Sequence, residues 1–271
     1  MRILATLVAL SFALPAQSHE FWIEPLDYQI APEGMMQAEL VNGQFFEGSK
    51  LAYLPQRFVN FEMSSGLLRQ PVENRLGARP ALDNAPFGDG LHVISYTSQM
   101  ATLTYTEWEK FLAFAEHKAF DGIEAAHDAR GLPRAGFDEG YWRLAKTLIG
   151  VGSAAGNDFR TGLITEFVAL DNPYTDDMSG GLRFQLFYRD AVRANAQVEL
   201  YQKPAEGGDT VITLHRTDAE GIVTVPVEPG YSYLVDAVVL RVPTEQQTAN
   251  TGVVWETLWA STTFQVADGT P

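Results

Sequence analysis

Five histidines and 34 carboxylates, with no cysteine, are what this 271-residue chain offers for chemistry at neutral pH. Without a thiolate, a transition-metal site has to be assembled from imidazole, carboxylate and amine donors. The strongest candidate is His19, in Ala16-Gln17-Ser18-His19-Glu20-Phe21-Trp22. Arg2 supplies a basic n-region and Ile3 to Leu14 an apolar stretch. Pro15 breaks that stretch, and Ala16 and Ser18 place small residues at −3 and −1 of a cut after Ser18, the pattern of a secretory signal peptide. Such a cut would make His19 the first residue. Its free α-amine and its own imidazole Nδ1 would then close one ring on a divalent cation, a pair no internal histidine has.

His92 is the second candidate. In Gly90-Leu91-His92-Val93-Ile94-Ser95-Tyr96 the strand alternation puts it on the face opposite Leu91 and Val93. From there it can project rigidly toward a site shared with the N-terminus, and a half-exposed strand histidine without a ligand is the plainer account of the same spacing. His117 and His127 lie ten residues apart, not at i and i+4, so they form no helix-borne metal pair and read as surface residues. His215 reads as a solvated strand end.

Nucleophilic chemistry finds no motif. There is no Gly-x-Ser-x-Gly elbow, no Cys/His pair, no His-Glu-x-x-His and no phosphate-binding glycine loop. Gly150 to Gly156 reads as a flexible turn lacking a P-loop lysine. Asp176, Asp177 and Asp218 lack the alternating oxygen ligands of a calcium loop and fit turns.

The elements that must position these residues are mainly β. Runs at 37–41, 57–63, 91–98 and 101–106 are rich in Val, Thr, Phe and Tyr and are separated by Gly, Pro, Asn and Asp. Residues 107–130 change character, with Trp108, Phe111, Leu112 and Ala115 at helical spacing, and predict a short helical insertion that Gly131-Leu132-Pro133 ends. Residues 171–182, rich in Asp, Asn, Pro and Gly, read as a linker. Strand candidates at 183–188, 196–201, 211–214, 222–227, 233–242 and 255–266 follow it at immunoglobulin-like spacing. The expectation is two β-sandwich domains, 19–170 with the insertion and 183–271, after a signal peptide at 1–18.

Charge narrows the partners. The chain carries a formal −15, and removing Arg2 with residues 1–18 makes it 18 − 34 = −16. Such a surface repels nucleic-acid phosphates and anionic lipid while concentrating cations. The apolar run at the N-terminus is too short to span a bilayer comfortably, so the expected location is the periplasm, as a soluble protein.

His19-Glu20-Phe21-Trp22-Ile23-Glu24-Pro25, Gly90-Leu91-His92-Val93, Ala145-Lys146-Thr147-Leu148-Ile149, Leu170-Asp171-Asn172-Pro173-Tyr174, Thr217-Asp218-Ala219-Glu220-Gly221 and residues 255–264 together resemble one family. It is the NikM-like group of periplasmic proteins linked to cobalt and nickel uptake, which carries a domain of unknown function. The resemblance implies a β-rich secreted protein that binds a transition metal through His19, by amine and imidazole, and through His92. Three nitrogens in a tetragonal arrangement suit Ni(II) or Cu(II), with Co(II) or Zn(II) accommodated in a relaxed geometry. The family pattern often has a second-domain histidine after Leu-Val-x-Ala-Val; here Leu234 to Val238 is followed by Val239. Lys146, Trp255 and Trp259 read as structural. The expected function is a non-catalytic metal-binding accessory protein that serves an uptake system in the membrane. Two other readings stay open: a copper oxidoreductase in which the same nitrogens form a histidine brace, and a structural sandwich protein.

Overall fold

The computed structural model describes residues 19–266, so the proposed signal peptide lies outside the described residues. The first half of the chain forms β1 (Glu20–Pro25), β2 (Gln29–Ile30), β3 (Met36–Gln44), β4 (Glu47–Leu51), β5 (Phe58–Ser65), β6 (Leu68–Pro71), β7 (Leu82–Asn84), β8 (Gly90–Ser98) and β9 (Ala101–Tyr105). Two helices follow at the expected insertion, α1 (Trp108–His117) and α2 (Ile123–Ala129). The chain then makes β10 (Phe137–Val151), β11 (Thr165–Ala169), β12 (Leu182–Tyr188), β13 (Ala191–Val192), β14 (Gln197–Pro204), β15 (Val211–Arg216), β16 (Ile222–Val225) and β17 (Tyr231–Arg241). It closes with α3 (Glu245–Thr251) and β18 (Trp255–Gln265).

The protein is mainly β, in three layers. A ten-stranded central sheet has the main order β15-β14-β17-β18-β10-β8-β5-β6, with β2 and β9 also pairing β10. One face of it packs on β1, β3, β4 and β7 through Phe21, Ile23, Met36, Ile94 and Ile149. The opposite face packs on β11, β12, β13 and β16 through Val93, Leu148, Phe184, Tyr233 and Phe264. Cover on both faces is why β8, β10 and β18 are buried almost along their whole length instead of at alternate residues.

The central sheet draws strands from both sides of residue 171. β10 and β18 pair in parallel from Glu139↔Trp255 to Thr147↔Thr263, which joins the two expected sandwiches edge to edge into one sheet. The segment read as a linker is correspondingly tied down. Asn172 is buried and donates to the carbonyls of Ala154 (2.8 Å) and Gly156 (2.9 Å), and the Tyr174 hydroxyl donates to Leu148 O at 2.6 Å.

The helices cap one end of the central sheet. Phe111, Phe114 and Trp108 lie against Trp255, Trp259, Phe137 and Val238, so the tryptophans of the C-terminal motif do fill an internal interface. His127 departs from its surface expectation. It is fully buried there, its Nδ1 accepting from Trp255 Nε1 at 3.0 Å and its Nε2 lying 3.0 Å from Pro133 O.

Candidate functional site

β1 fixes where the proposed N-terminus emerges. Among the described residues it pairs with β3 alone, and its other side is held by hydroxyls of β18: Ser261 Oγ donates to Phe21 O (2.8 Å) and Thr263 Oγ1 to Ile23 O (2.5 Å). Strand alternation sends Phe21 and Ile23 into the core beneath β8 and turns Trp22 toward Tyr201 and Leu234. Glu20, on the side of Trp22, enters a seam between the first sheet and the helical cap. His19 stays exposed just outside it.

The seam gathers charges that a β core rarely holds. Lys118, at the end of α1, donates to Glu199 Oε1 (2.8 Å) and Asp236 Oδ1 (3.1 Å), and all three are buried. Lys118 Nζ lies 4.8 Å above the Trp259 ring, and the Arg143 guanidinium lies 4.4 Å from the same ring. The Tyr201 hydroxyl donates to Glu199 Oε2 at 2.5 Å, and His117 Nε2 lies 3.2 Å from Glu199 Oε1. Burial alone would raise Glu199, yet the contacts from His117, Lys118 and Tyr201 hold its carboxyl down to about 2. Glu20 goes the other way: burial, reinforced by the charges of Asp236 and Glu199, pushes it up to about 7. Lys118 stays charged, because its two carboxylate partners outweigh the burial that would lower it. Arg143 is lowered by burial, and its Nε and Nη1 have no partner.

A strained hairpin closes the seam from above. Between β3 and β4, Phe45 (φ 56°) and Phe46 (φ 59°) both take the left-handed conformation that bulky residues avoid. Such positions cost about 1–3 kcal/mol each and persist where the surroundings over-determine them. Here Glu20 Oε2 accepts the Phe45 N–H at 3.2 Å and Phe46 is wedged against Trp22 at 5.3 Å, while the Phe45 ring remains half-exposed. Gly43 and Gly48 let the two strands approach, since a Cβ at Gly43 would stand 1.9 Å from Glu47 O.

The structure does not bring His92 to His19. Phe21 stands level with Ala145 through Ser261, whereas His92 pairs with Ile149. Six residues of extended spacing separate the two histidines by on the order of 20 Å. His92 is fully buried and stacks on Phe87, and both its ring nitrogens are engaged. Nε2 accepts from Phe87 N (3.0 Å) and Nδ1 donates to Gly90 O (3.1 Å). That pairing fixes the neutral tautomer, and burial lowers its pKa. The strand face was read correctly; the half-exposure was not, because the first sheet covers that face. His117 is the imidazole beside the seam, with a side chain 60% exposed and, among the described residues, no hydrogen bond at Nδ1. His215 is part-buried in β15, 2.8 Å from Thr213 Oγ1. Among the described residues no group of three or more His, Asp or Glu side chains is placed to hold a metal ion.

Lys146 is structural, as expected: fully buried, it donates to Asp158 Oδ1 (2.8 Å) and the carbonyls of Phe159 and Phe167. Asp177 and Asp218 accept from nearby backbone amides as turn residues. What the residue pattern missed is the seam. Its signal was present in charges embedded in apolar runs, Arg143 after Tyr141-Trp142 and Asp236 within Leu234-Val235-Asp236-Ala237-Val238.

The family model of a domain of unknown function (DUF4198) matches residues 16–241, spanning β1, the helical cap and the strands that carry Arg143, Glu199 and Asp236, and ending before β18. No curated protein matches the chain.

Proposed function

The chain belongs to the family of the domain of unknown function DUF4198, and from that premise we propose that it is a secreted accessory protein that captures nickel, cobalt or copper and presents it to an uptake system. The donors are the α-amine and imidazole of His19 at a processed N-terminus. One observation supports this above the others: His19 is exposed at the head of a strand whose next residue, Glu20, is locked into a buried seam. A chelating terminus is thereby held at a fixed place on an acidic surface that concentrates cations.

His117 is the better partner imidazole than His92. Its Nε2 rests on the Glu199 carboxylate, the arrangement that orients metal-binding histidines, and its Nδ1 is open. His92 would have to give up both ring hydrogen bonds and its place in the core.

Calorimetric titration with Ni(II), Co(II), Cu(II) and Zn(II) tests the reading, using protein that starts at His19 beside a variant with one alanine added before it. The expected result is one-to-one binding that the extension weakens at least a hundredfold, because an amide replaces the amine. Affinity also falls as pH drops, since the donors coordinate only when unprotonated. Binding indifferent to the extension overturns the proposal. The exposed Phe45 ring beside Glu20 favours one other reading, a copper site that activates oxygen next to an aromatic platform. Oxygen-dependent peroxide release by the copper-loaded protein would select it.

A further inference from the structure

Beside Lys118, the fold builds a pocket of about 320 Å³ between the end of α1 and the turn that joins β13 to β14. Lys118, Phe120, Arg193, Asn195, Arg216 and Val238 line it, and no carboxylate does. In a chain with 34 acidic residues against 19 basic ones, a concavity with only cations is not what the bulk composition provides. Lys118 is already committed to Glu199 and Asp236, so the two arginines set the character of the pocket.

Both arginines are held in place. Arg193 Nη2 donates to Val238 O at 2.9 Å, which orients the rigid guanidinium and leaves Nη1 buried with no acceptor. Arg193 therefore adds positive charge to the wall of the pocket. Arg216 Nη1 donates to Asn195 O at 2.7 Å and presents the rest of its fork at the rim. The turn carrying these groups is locked by Thr217, whose Oγ1 donates to Arg193 O (2.6 Å) and accepts from Ala196 N (2.8 Å). Asn195 takes a left-handed φ of 55° at its apex.

The geometry points to a binding site for a small organic di- or tricarboxylate, gripped by the guanidinium fork of Arg216 and attracted by the charge of Arg193. The Nε and Nη2 side of the Arg216 fork can take one carboxylate in bidentate fashion, and the Arg193 cation attracts a second. The volume, and the apolar walls from Phe120 and Val238, call for a carbon body larger than a bare phosphate. This site is independent of the metal proposal, because no proposed metal donor lines it.

The test is calorimetric titration of the metal-free mature chain with citrate, and separately with inorganic phosphate, at fixed ionic strength. Saturable one-to-one citrate binding is expected, weakened at least tenfold in Arg216→Gln and in Arg193→Gln and unchanged in Arg75→Gln, an exposed arginine elsewhere. Arg216 is exposed, so its variant keeps the fold and the test stands even if Arg193→Gln does not. Absence of saturable binding, or an Arg216→Gln variant that binds citrate like the parent, overturns the site. Phosphate binding as tight as citrate overturns the polycarboxylate class.

Discussion

His92 shows how burial turns a candidate ligand into a structural residue. His92 is kept neutral by burial, with one ring nitrogen donating and the other accepting. Its folded pKa is below the unfolded value, so the unfolded chain binds the extra proton first, and stability is lost as pH falls below about 6.5. Replacing His92 with Leu should cost about 1–3 kcal/mol, since Phe87 N–H and Gly90 C=O lose their partner inside the core. It should also flatten the acid limb, below about pH 6.5, of a stability–pH curve measured by urea unfolding. Metal affinity should be unchanged; a large loss of affinity in this variant would return His92 to the ligand set.

At the scale of elements, the end of α1 joins the helical cap to the central sheet. The helix buries Phe111 and Phe114 on the Trp255–Trp259 surface, and its last turn delivers Lys118 into the pair of carboxylates on β14 and β17. Removing one partner of a buried ionic cluster leaves charge uncompensated and costs about 3–5 kcal/mol. Lys118→Ala should therefore lower the thermal midpoint by far more than loss of a surface lysine such as Lys110, whose exposed pair with Glu107 contributes about 0–1 kcal/mol. Differential scanning of the two variants side by side checks the contrast, and equal shifts would mean that the seam does not anchor the cap. The short β13–β14 turn places two arginines within one pocket on the same principle, because Thr217 fixes the backbone that carries them.

For the whole molecule, one sheet shared by both halves determines cooperativity. The core beneath β11 and β12 takes residues from β8 and β10 as well as from β14, β17 and β18, so the C-terminal half has no complete core of its own. Calorimetric unfolding should show a single transition whose calorimetric and van't Hoff enthalpies agree. Residues 183–266 expressed alone should not fold, since β18 would lose its parallel partner β10. Two resolved transitions, or a folded C-terminal fragment, would restore the two independent sandwiches that strand spacing suggested.

The sequence by itself determined the element types, because hydrophobic period is local. Strand alternation put His92 opposite Leu91 and Val93, helical spacing marked 107–130, and the embedded charges Arg143 and Asp236 were visible as breaks in apolar runs. Pairing and layering were decided only in the tertiary structure, because they depend on contacts between residues far apart in the chain. Glu139 meets Trp255 across 116 positions, the first sheet closes over His92, and α1 brings Lys118 to Glu199 and Asp236. No window along the chain contains both members of such a pair. The exposed His19, the buried seam beside it and the arginine pocket are consequences of that layering.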